Sequence, residues 1–328
     1  MTENNSNQIH NNLTAQSSNQ NDDKSNTILV ALDGSERSMK TVEYLYDFKP
    51  FHNKKIVLYH VFSDVPESYW DMGRTPFSRN GAEEVKGWGL QRRITMDEFM
   101  ERARNILITA GYKPQDITVS IKERQKGIAR DIITEAQKGY FALLIRRRGY
   151  GALLHMIMGS TTTKIVEKLS GTPVLLAGLN KIRNSILIGI DGSEGSEQAV
   201  DFTAKAVAQK GCKIVLCTVL RDFDIYAGDR NKKDASECVD CVFEDVESAM
   251  RRASQILQKS GVKSADIERK IITGVGTRAG AIAKTAEEER CDTIVVGRRG
   301  LSNVNDFNIG RVSWKIIHAA REMTVWIV

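Results

Sequence analysis

The sequence has no apolar run approaching the roughly 18 residues that a membrane-spanning helix requires, and its polar start lacks the apolar core of a secretory signal. The expectation is a cytoplasmic protein with no membrane partner. No Gly-x-x-x-x-Gly-Lys-[Ser/Thr] occurs, which excludes the ordinary phosphate loop of nucleotide hydrolases, and no Ser-Gly-Gly-x-Asp-Ser pyrophosphatase signature occurs either. Cysteine is scarce: Cys212, Cys217, Cys238, Cys241 and Cys291 are odd in number and confined to the second half, which argues against a disulfide framework and for a reducing compartment. Cys238-Val-Asp-Cys241 has the spacing of a metal knuckle, but no second pair supplies the other two zinc ligands, so structural thiols are expected. The five histidines show no metal-ligand spacing. Charge of one sign is barely in excess, 47 Lys and Arg against 41 Asp and Glu. That balance draws the chain mildly toward phosphates without calling for nucleic acid.

What is present is a globular chain. Its 328 residues suggest two domains, and 41% hydrophobic with 27% charged residues excludes the disordered and fibrous classes. Residues 1–26 are mostly Asn, Gln, Ser and Asp, and are expected to form a disordered tail. Beyond them one unit is written twice. Thr27-Ile-Leu-Val-Ala-Leu-Asp33-Gly-Ser-Glu reads like Ser185-Ile-Leu-Ile-Gly-Ile-Asp191-Gly-Ser-Glu, Arg147-Arg148-Gly149 aligns with Arg298-Arg299-Gly300, and Gly159 aligns with Gly310. An internal duplication follows, with domains over 27–180 and 181–328.

Within each copy, short apolar runs alternate with longer amphipathic stretches, the pattern of a parallel sheet buried between helices. The copies read βαβαβαβαβ, giving two tandem α/β units, each an open-twisted, five-stranded parallel sheet flanked by helices. Strands are predicted near 27–32, 55–61, 117–123, 141–145 and 172–177, and near 185–190, 212–219, 267–273, 292–296 and 323–328. The last helices place Thr162, Ile165, Val166 and Leu169, and Ser313, Ile316, Ile317 and Ala320, on one face each.

Asp33 and Asp191 directly follow the first strand of each copy, with Ser35 and Ser193 positioned to cap the next helix. Turn chemistry accounts for them, and so does ligand contact, because ligands of open α/β sheets collect beyond the carboxyl ends of the strands. After the fourth strand of copy two, Gly297, Gly300 and Gly310 are spaced G-x2-G-x9-G, ending at the start of the last helix. Such glycines let a phosphate approach main chain at a helix N-terminus, or they serve only the turns. Both readings stand on spacing alone.

With the repeated aspartate, the strand order and this glycine pattern, each half resembles a universal stress protein domain, and the chain from about residue 27 to 328 resembles a tandem member of that family. The resemblance implies an adenine nucleotide α-hydrolase-like, Rossmann-like fold. It also implies that the halves associate through their last strands, Val174 to Ala177 and Val325 to Val328, and that a homodimer is open to the chain. It implies ATP or AMP as ligand, with Mg accompanying ATP, and a regulatory role with at most slow ATP hydrolysis and no catalytic residue named. Adenosine would lie near Ala31, Asp33 and Val61 in copy one, or near Gly189, Asp191 and Val219 in copy two. The phosphates would meet Gly149, Gly159 and Ser160, or Val296, Gly297, Gly300, Gly310, Arg311 and Val312. Copy one departs from the family pattern at its first glycine, where Arg146 stands, whereas copy two replaces only the final Ser or Thr with Arg311, which makes copy two the better site. A protein-binding scaffold without nucleotide is the rival reading.

Other features are read as structural. Gly274-Val-Gly276-Thr-Arg-Ala-Gly280 follows a third strand rather than a first, and is expected to be a helix-entry loop. Arg146 to Arg148 and Arg298-Arg299 lack interleaved aromatics and are expected to form a solvated face or a local anion contact. The stretch from Phe62 to about Arg93, with Tyr69, Trp70, Phe77 and Trp88, is long enough to cover a site or dock a partner, or it packs over a sheet edge.

Overall fold

A computed structural model describes residues 24–63, 79–147, 158–208, 211–220, 232–300 and 308–328, with residues 79–88 and 232–242 described as backbone only. The expected tail up to residue 23, the aromatic positions Tyr69, Trp70 and Phe77, and Gly149 lie outside the described residues, as do the side chains of Trp88, Cys238 and Cys241.

The chain folds as two compact units. Among the described residues, the first holds those within 1–43, 53–146 and 169–172, and the second those within 44–52, 147–168 and 173–328. In the first unit, β1 (Thr27–Ala31), β2 (Lys55–Phe62), β3 (Ile117–Glu123) and β4 (Ala142–Arg146) lie in the order β3-β2-β1-β4 and pair in parallel. Parallel neighbours require long crossovers, and helices supply them: α1 (Glu36–Asp47), α2 (Arg79–Thr109) and α3 (Ile128–Ala136). The central strand β1 is apolar and buried along almost its whole length, as a strand covered on both faces must be.

In the second unit, β5 (Val174–Ala177), β6 (Ser185–Gly189), β7 (Lys213–Val219), β8 (Ile267–Ile272), β9 (Thr293–Val296) and β10 (Thr324–Ile327) lie in the order β5-β10-β9-β6-β7-β8. All neighbours are parallel except β5 and β10, which pair antiparallel with Leu175 opposite Trp326. The helices are α4 (Ser160–Lys168), α5 (Glu194–Val207), α6 (Lys232–Lys259), α7 (Arg278–Glu288) and α8 (Arg311–Ala319). The strands fall within two residues of their predicted limits.

The duplication is visible in how equivalent helices end. Gly111 after α2 and Gly261 after α6 both take positive φ, 102° and 97°, and the next residues, Tyr112 and Val262, donate back to Leu107 and Leu257, each at 3.1 Å. A glycine in this left-handed conformation satisfies carbonyls that the helix end leaves unpaired.

The division into units does not follow the repeat boundary. Strand β5 and helix α4 belong by sequence to copy one, yet they lie in the second unit, and so do Tyr44 to His52. Strand β5 is held there by its pairing with β10, and Tyr44 to His52 by Trp326, fully buried, which stacks on Phe51 at 5.6 Å and meets Phe48 and Phe202 edge-on at 5.5 and 5.6 Å. Its indole N–H donates to the Tyr44 hydroxyl at 3.2 Å. A buried Trp needs a partner for its one polar atom, and Tyr44 provides it.

Candidate functional site

Copy two starts mid-sheet at β6, moves outward through β7 and β8, then returns to β9 on the other side of β6. The strand order therefore reverses between β6 and β9, and ligands of open α/β sheets collect beyond the carboxyl ends of the strands at such a point. Asp191 stands just beyond β6 and Gly297 just beyond β9.

The β6 exit is built by turn chemistry. The Ser193 amide donates to Asp191 Oδ1 at 3.0 Å, and the Ser193 hydroxyl, as N-cap of α5, accepts from the Ser196 amide at 3.2 Å. The same arrangement recurs in the first unit, where the Ser35 amide donates to Asp33 Oδ1 at 2.9 Å and the Ser35 hydroxyl accepts from the Ser38 amide at 3.1 Å. Burial alone would raise the Asp33 carboxyl, but hydrogen bonds from the Ser35 hydroxyl and amide outweigh it and leave the group below its ordinary value.

The β9 exit is held at close quarters. A Cβ on Gly297 would lie 2.4 Å from the Gly195 carbonyl carbon, and one on Gly195 would lie 2.1 Å from the Arg299 oxygen. Two bare backbones meet there, so both positions need glycine. A Cβ on Gly300 would lie 2.5 Å from Asp191 Oδ2, which brings the aspartate against the glycine loop. The loop is then fastened to α8: the Gly310 amide donates to the Arg298 carbonyl at 2.8 Å, and the Ser313 hydroxyl donates to the Gly297 carbonyl at 2.7 Å. Helix α8 begins at Gly310 with no side-chain cap, unlike α5 and α7, whose Ser193 and Thr277 each accept a first-turn amide. Its opening turn therefore offers N–H groups and a positive dipole end, with exposed Arg311 as its first residue.

Of the candidates in copy two, Gly189, Asp191, Val296, Gly297, Gly300, Gly310, Arg311 and Val312 border this rim or the strand ends beneath it. Gly189 and Val296 are neighbours, a Cβ on the glycine reaching Val296 Cγ1 at 3.3 Å. Val219 is buried at the end of β7. In copy one, Ala31, Asp33 and Val61 lie in the first unit and Gly159 and Ser160 in the second, where the Gly159 carbonyl accepts the Thr163 amide as α4 begins.

Two features were not read from the sequence. Gly195 and Ser313 complete the rim, although neither belongs to the glycine pattern. The arginines also need correcting: Arg147 is no surface charge but 4% exposed, donating through Nη1 to the Ala320 carbonyl, and half-buried Arg298 donates to the Val166 carbonyl at 2.7 Å. Burial, and then the neighbouring Arg299, push the Arg298 guanidinium down to about 10. The contrast between copies was legible at Arg146, and the structure adds Arg37 at the position equivalent to Gly195. Where copy two has Gly195 and Gly297, copy one has Arg37 and Arg146, and burial lowers Arg146, with Glu43 opposing the shift and Arg37 adding to it. Side chains thus replace bare main chain at the first copy's strand end.

Among the remaining readings, the Gly274 stretch is a helix-entry loop, with the Gly280 amide donating to the Thr277 hydroxyl at 3.2 Å. His60 packs against its own strand end, its Nδ1 2.7 Å from the Leu32 carbonyl, and burial lowers it below the ordinary imidazole value. The equivalent Thr218 donates to the Ile190 carbonyl at 2.8 Å. Among the described residues no group of three metal-ligating side chains comes together, and no helix is long and apolar enough to cross a membrane.

The sequence profile of the Universal stress protein family matches residues 24–177 and again residues 183–328. A universal stress protein of Mycolicibacterium smegmatis is 28% identical over 199 residues, 60% of this chain and 64% of its own length. One of Mycobacterium tuberculosis is 27% identical over 46% of this chain and 44% of its own, so the chain spans under two thirds of both relatives. Among solved structures, a universal stress protein from Archaeoglobus fulgidus superposes with a TM-score of 0.61 over 93% of this chain and 98% of its own, at 20% identity. A Pseudomonas aeruginosa protein of unknown function reaches 0.50 over 92% of each chain at 14% identity. The fold shared with these structures is a mostly parallel α/β sheet of the adenine nucleotide α-hydrolase-like kind. With two successive matches that together cover nearly all of its length, the chain belongs to the universal stress protein family as a tandem, two-domain member.

Proposed function

We propose that this protein is a tandem stress-response protein that binds an adenine nucleotide, ATP or AMP, at the copy-two rim in a regulatory role. The observation that carries the reading is the uncapped start of α8 beside Gly300 and Asp191, where the strand order reverses between β6 and β9. A phosphate there would accept from first-turn amides and from Arg311, while Asp191 stands ready to accept from a ribose hydroxyl or a base amine. Gly189, Val219 and Val296 would form the floor under the nucleoside. Mg would arrive with ATP, held by the phosphates. On this reading the domains run over 27–180 and 181–328 and pair through β5 and β10, and copy one, with Arg146 at its strand end, is the weaker site.

Calorimetric titration of the full chain with ATP and with AMP tests the proposal. Saturable binding is expected, and no heat at millimolar nucleotide overturns it. The rival reading is a nucleotide-free protein-interaction scaffold, and one observation favours it: Gly297 and Gly300 already have packing reasons to be glycine, Gly195 and the Asp191 carboxylate. Mass spectrometry of the denatured, purified protein separates the two, because co-purifying nucleotide is expected only from the first.

A further inference from the structure

Arg298 makes three contacts with three different segments of the second unit. Its amide donates to the Val328 carbonyl at 2.6 Å, its carbonyl accepts the Gly310 amide at 2.8 Å, and its Nη1 donates to the Val166 carbonyl at 2.7 Å. The first two bonds hold the glycine loop to the end of β10 and to the start of α8. The third reaches α4, the last helix of copy one, at a carbonyl in its final turn, where helix geometry leaves the oxygen without an intrahelical donor. Arg147 occupies the equivalent place in copy one and does the reverse, donating to the carbonyl of Ala320, the C-cap of α8. Each copy's arginine after its fourth strand thus closes the final helix of the other copy.

We infer that Arg298 is a positioning residue for the copy-two rim: it orders the main chain of Gly297 to Gly300 and the opening turn of α8 by tying them to α4, so that copy one completes the corner of copy two. The inference deepens the nucleotide reading, and its nucleotide arm rests on it, but its first test does not. An arginine suits the task because its long stem spans the gap while its fixed fork keeps one donor aimed at a carbonyl. A ligand touching the glycine loop would sense this tie, whereas one confined to the strand ends under Asp191 would not.

The test is hydrogen exchange on the ligand-free full chain, comparing wild type, Arg298→Met, Arg298→Lys and Arg147→Met. Arg298→Met is expected to speed exchange of the Arg298 and Gly310 amides and the first turn of α8 by about tenfold, leaving β6 and β7 unchanged. Arg298→Lys, which retains one donor, is expected to restore most of that protection, and Arg147→Met to loosen the end of α8 rather than the rim. An unchanged rim in the Met variant overturns the inference, as does loosening in equal measure throughout the unit, or a Lys variant as unprotected as Met. If the Met variant does not fold, the Lys variant alone decides, by whether its rim stays protected.

Titration then separates the inference from the nucleotide reading. Arg298→Met is expected to weaken ATP by about tenfold while leaving adenosine, which has no phosphate, unchanged. Equal loss for both ligands, or loss for neither, overturns the positioning role. Failure of the wild type to bind either ligand overturns the nucleotide reading alone, and the exchange result still decides for Arg298.

Discussion

Gly195 and Gly297 touch backbone to backbone, and a Cβ on Gly195 would sit 2.1 Å from the Arg299 oxygen, an atom that cannot move aside as a flexible side chain could. Gly195→Ala is therefore expected to lower the urea midpoint by the equivalent of about 1–3 kcal/mol with an unchanged denaturant slope, as overpacking does. An alanine variant as stable as wild type would show that the two segments separate freely. A second residue, Asp292, sets a pH dependence. Burial raises its carboxyl above the ordinary value, against opposing hydrogen bonds from the Thr293 hydroxyl and the Arg183 and Ser185 amides. Because the folded state then holds this proton more tightly than the unfolded chain, stability falls as pH rises from the ordinary carboxylate pKa through the raised folded one. Relative to Asp292→Asn, which keeps an acceptor but does not titrate, wild type is expected to lose stability across that window. Urea melts from pH 4 upward check this, and parallel curves for the two proteins would refute it. The sequence identifies Asp191 and Ser193, whose reasons lie within a few positions of each, and the spacing of the glycine pattern, but not the distant partners, Gly195 and Asp191, against which Gly297 and Gly300 pack. It does not identify Gly195, whose reason is a strand end about a hundred positions away.

At the scale of elements, α5 and α8 begin differently, and the difference is measurable. Ser193 caps α5, so Ser193→Ala is expected to cost about 1 kcal/mol of stability in denaturant melts. No such loss would mean that the turn at Asp191 holds the helix start without it. Helix α8 has no side-chain cap and carries Arg311 at its first position. Arg311→Ala is expected to leave stability unchanged and to weaken ATP about three- to tenfold, with adenosine unaffected, the size of one exposed charge-assisted contact. Equal ATP affinity in variant and wild type would remove Arg311 from the site. Strand and helix positions were legible because they depend on apolar periodicity and turn residues. The edge strands β3 and β8 show the same logic with a difference: open on one side, they mix charged and apolar residues, as in Ile267-Glu-Arg-Lys-Ile-Ile272, and are only partly covered.

At the scale of the whole molecule, Trp326 is the largest fully buried side chain among the described residues, and it brings together Tyr44, Phe48 and Phe51 from copy one and Phe202 from copy two. Trp326→Ala is expected to cost about 3–5 kcal/mol, read from chemical denaturation followed at far-ultraviolet wavelengths. A loss below about 1 kcal/mol would mean that the cluster collapses around the gap. The amino-acid sequence by itself determined the duplication, the alternation of strands and helices and the turns at Asp33 and Asp191, because each is written in short local patterns, and it displayed the glycine spacing after β9 without the distant partners that require it. Contact between β5 and β10 was an expectation of the family resemblance, whereas only the tertiary structure decided that Trp326 draws the end of α1 into the second unit and that Arg147 and Arg298 are exchanged between the last helices. Those outcomes depend on which carbonyls and aromatic faces remain unsatisfied once the sheets have formed, and residues far apart in the chain become partners only then.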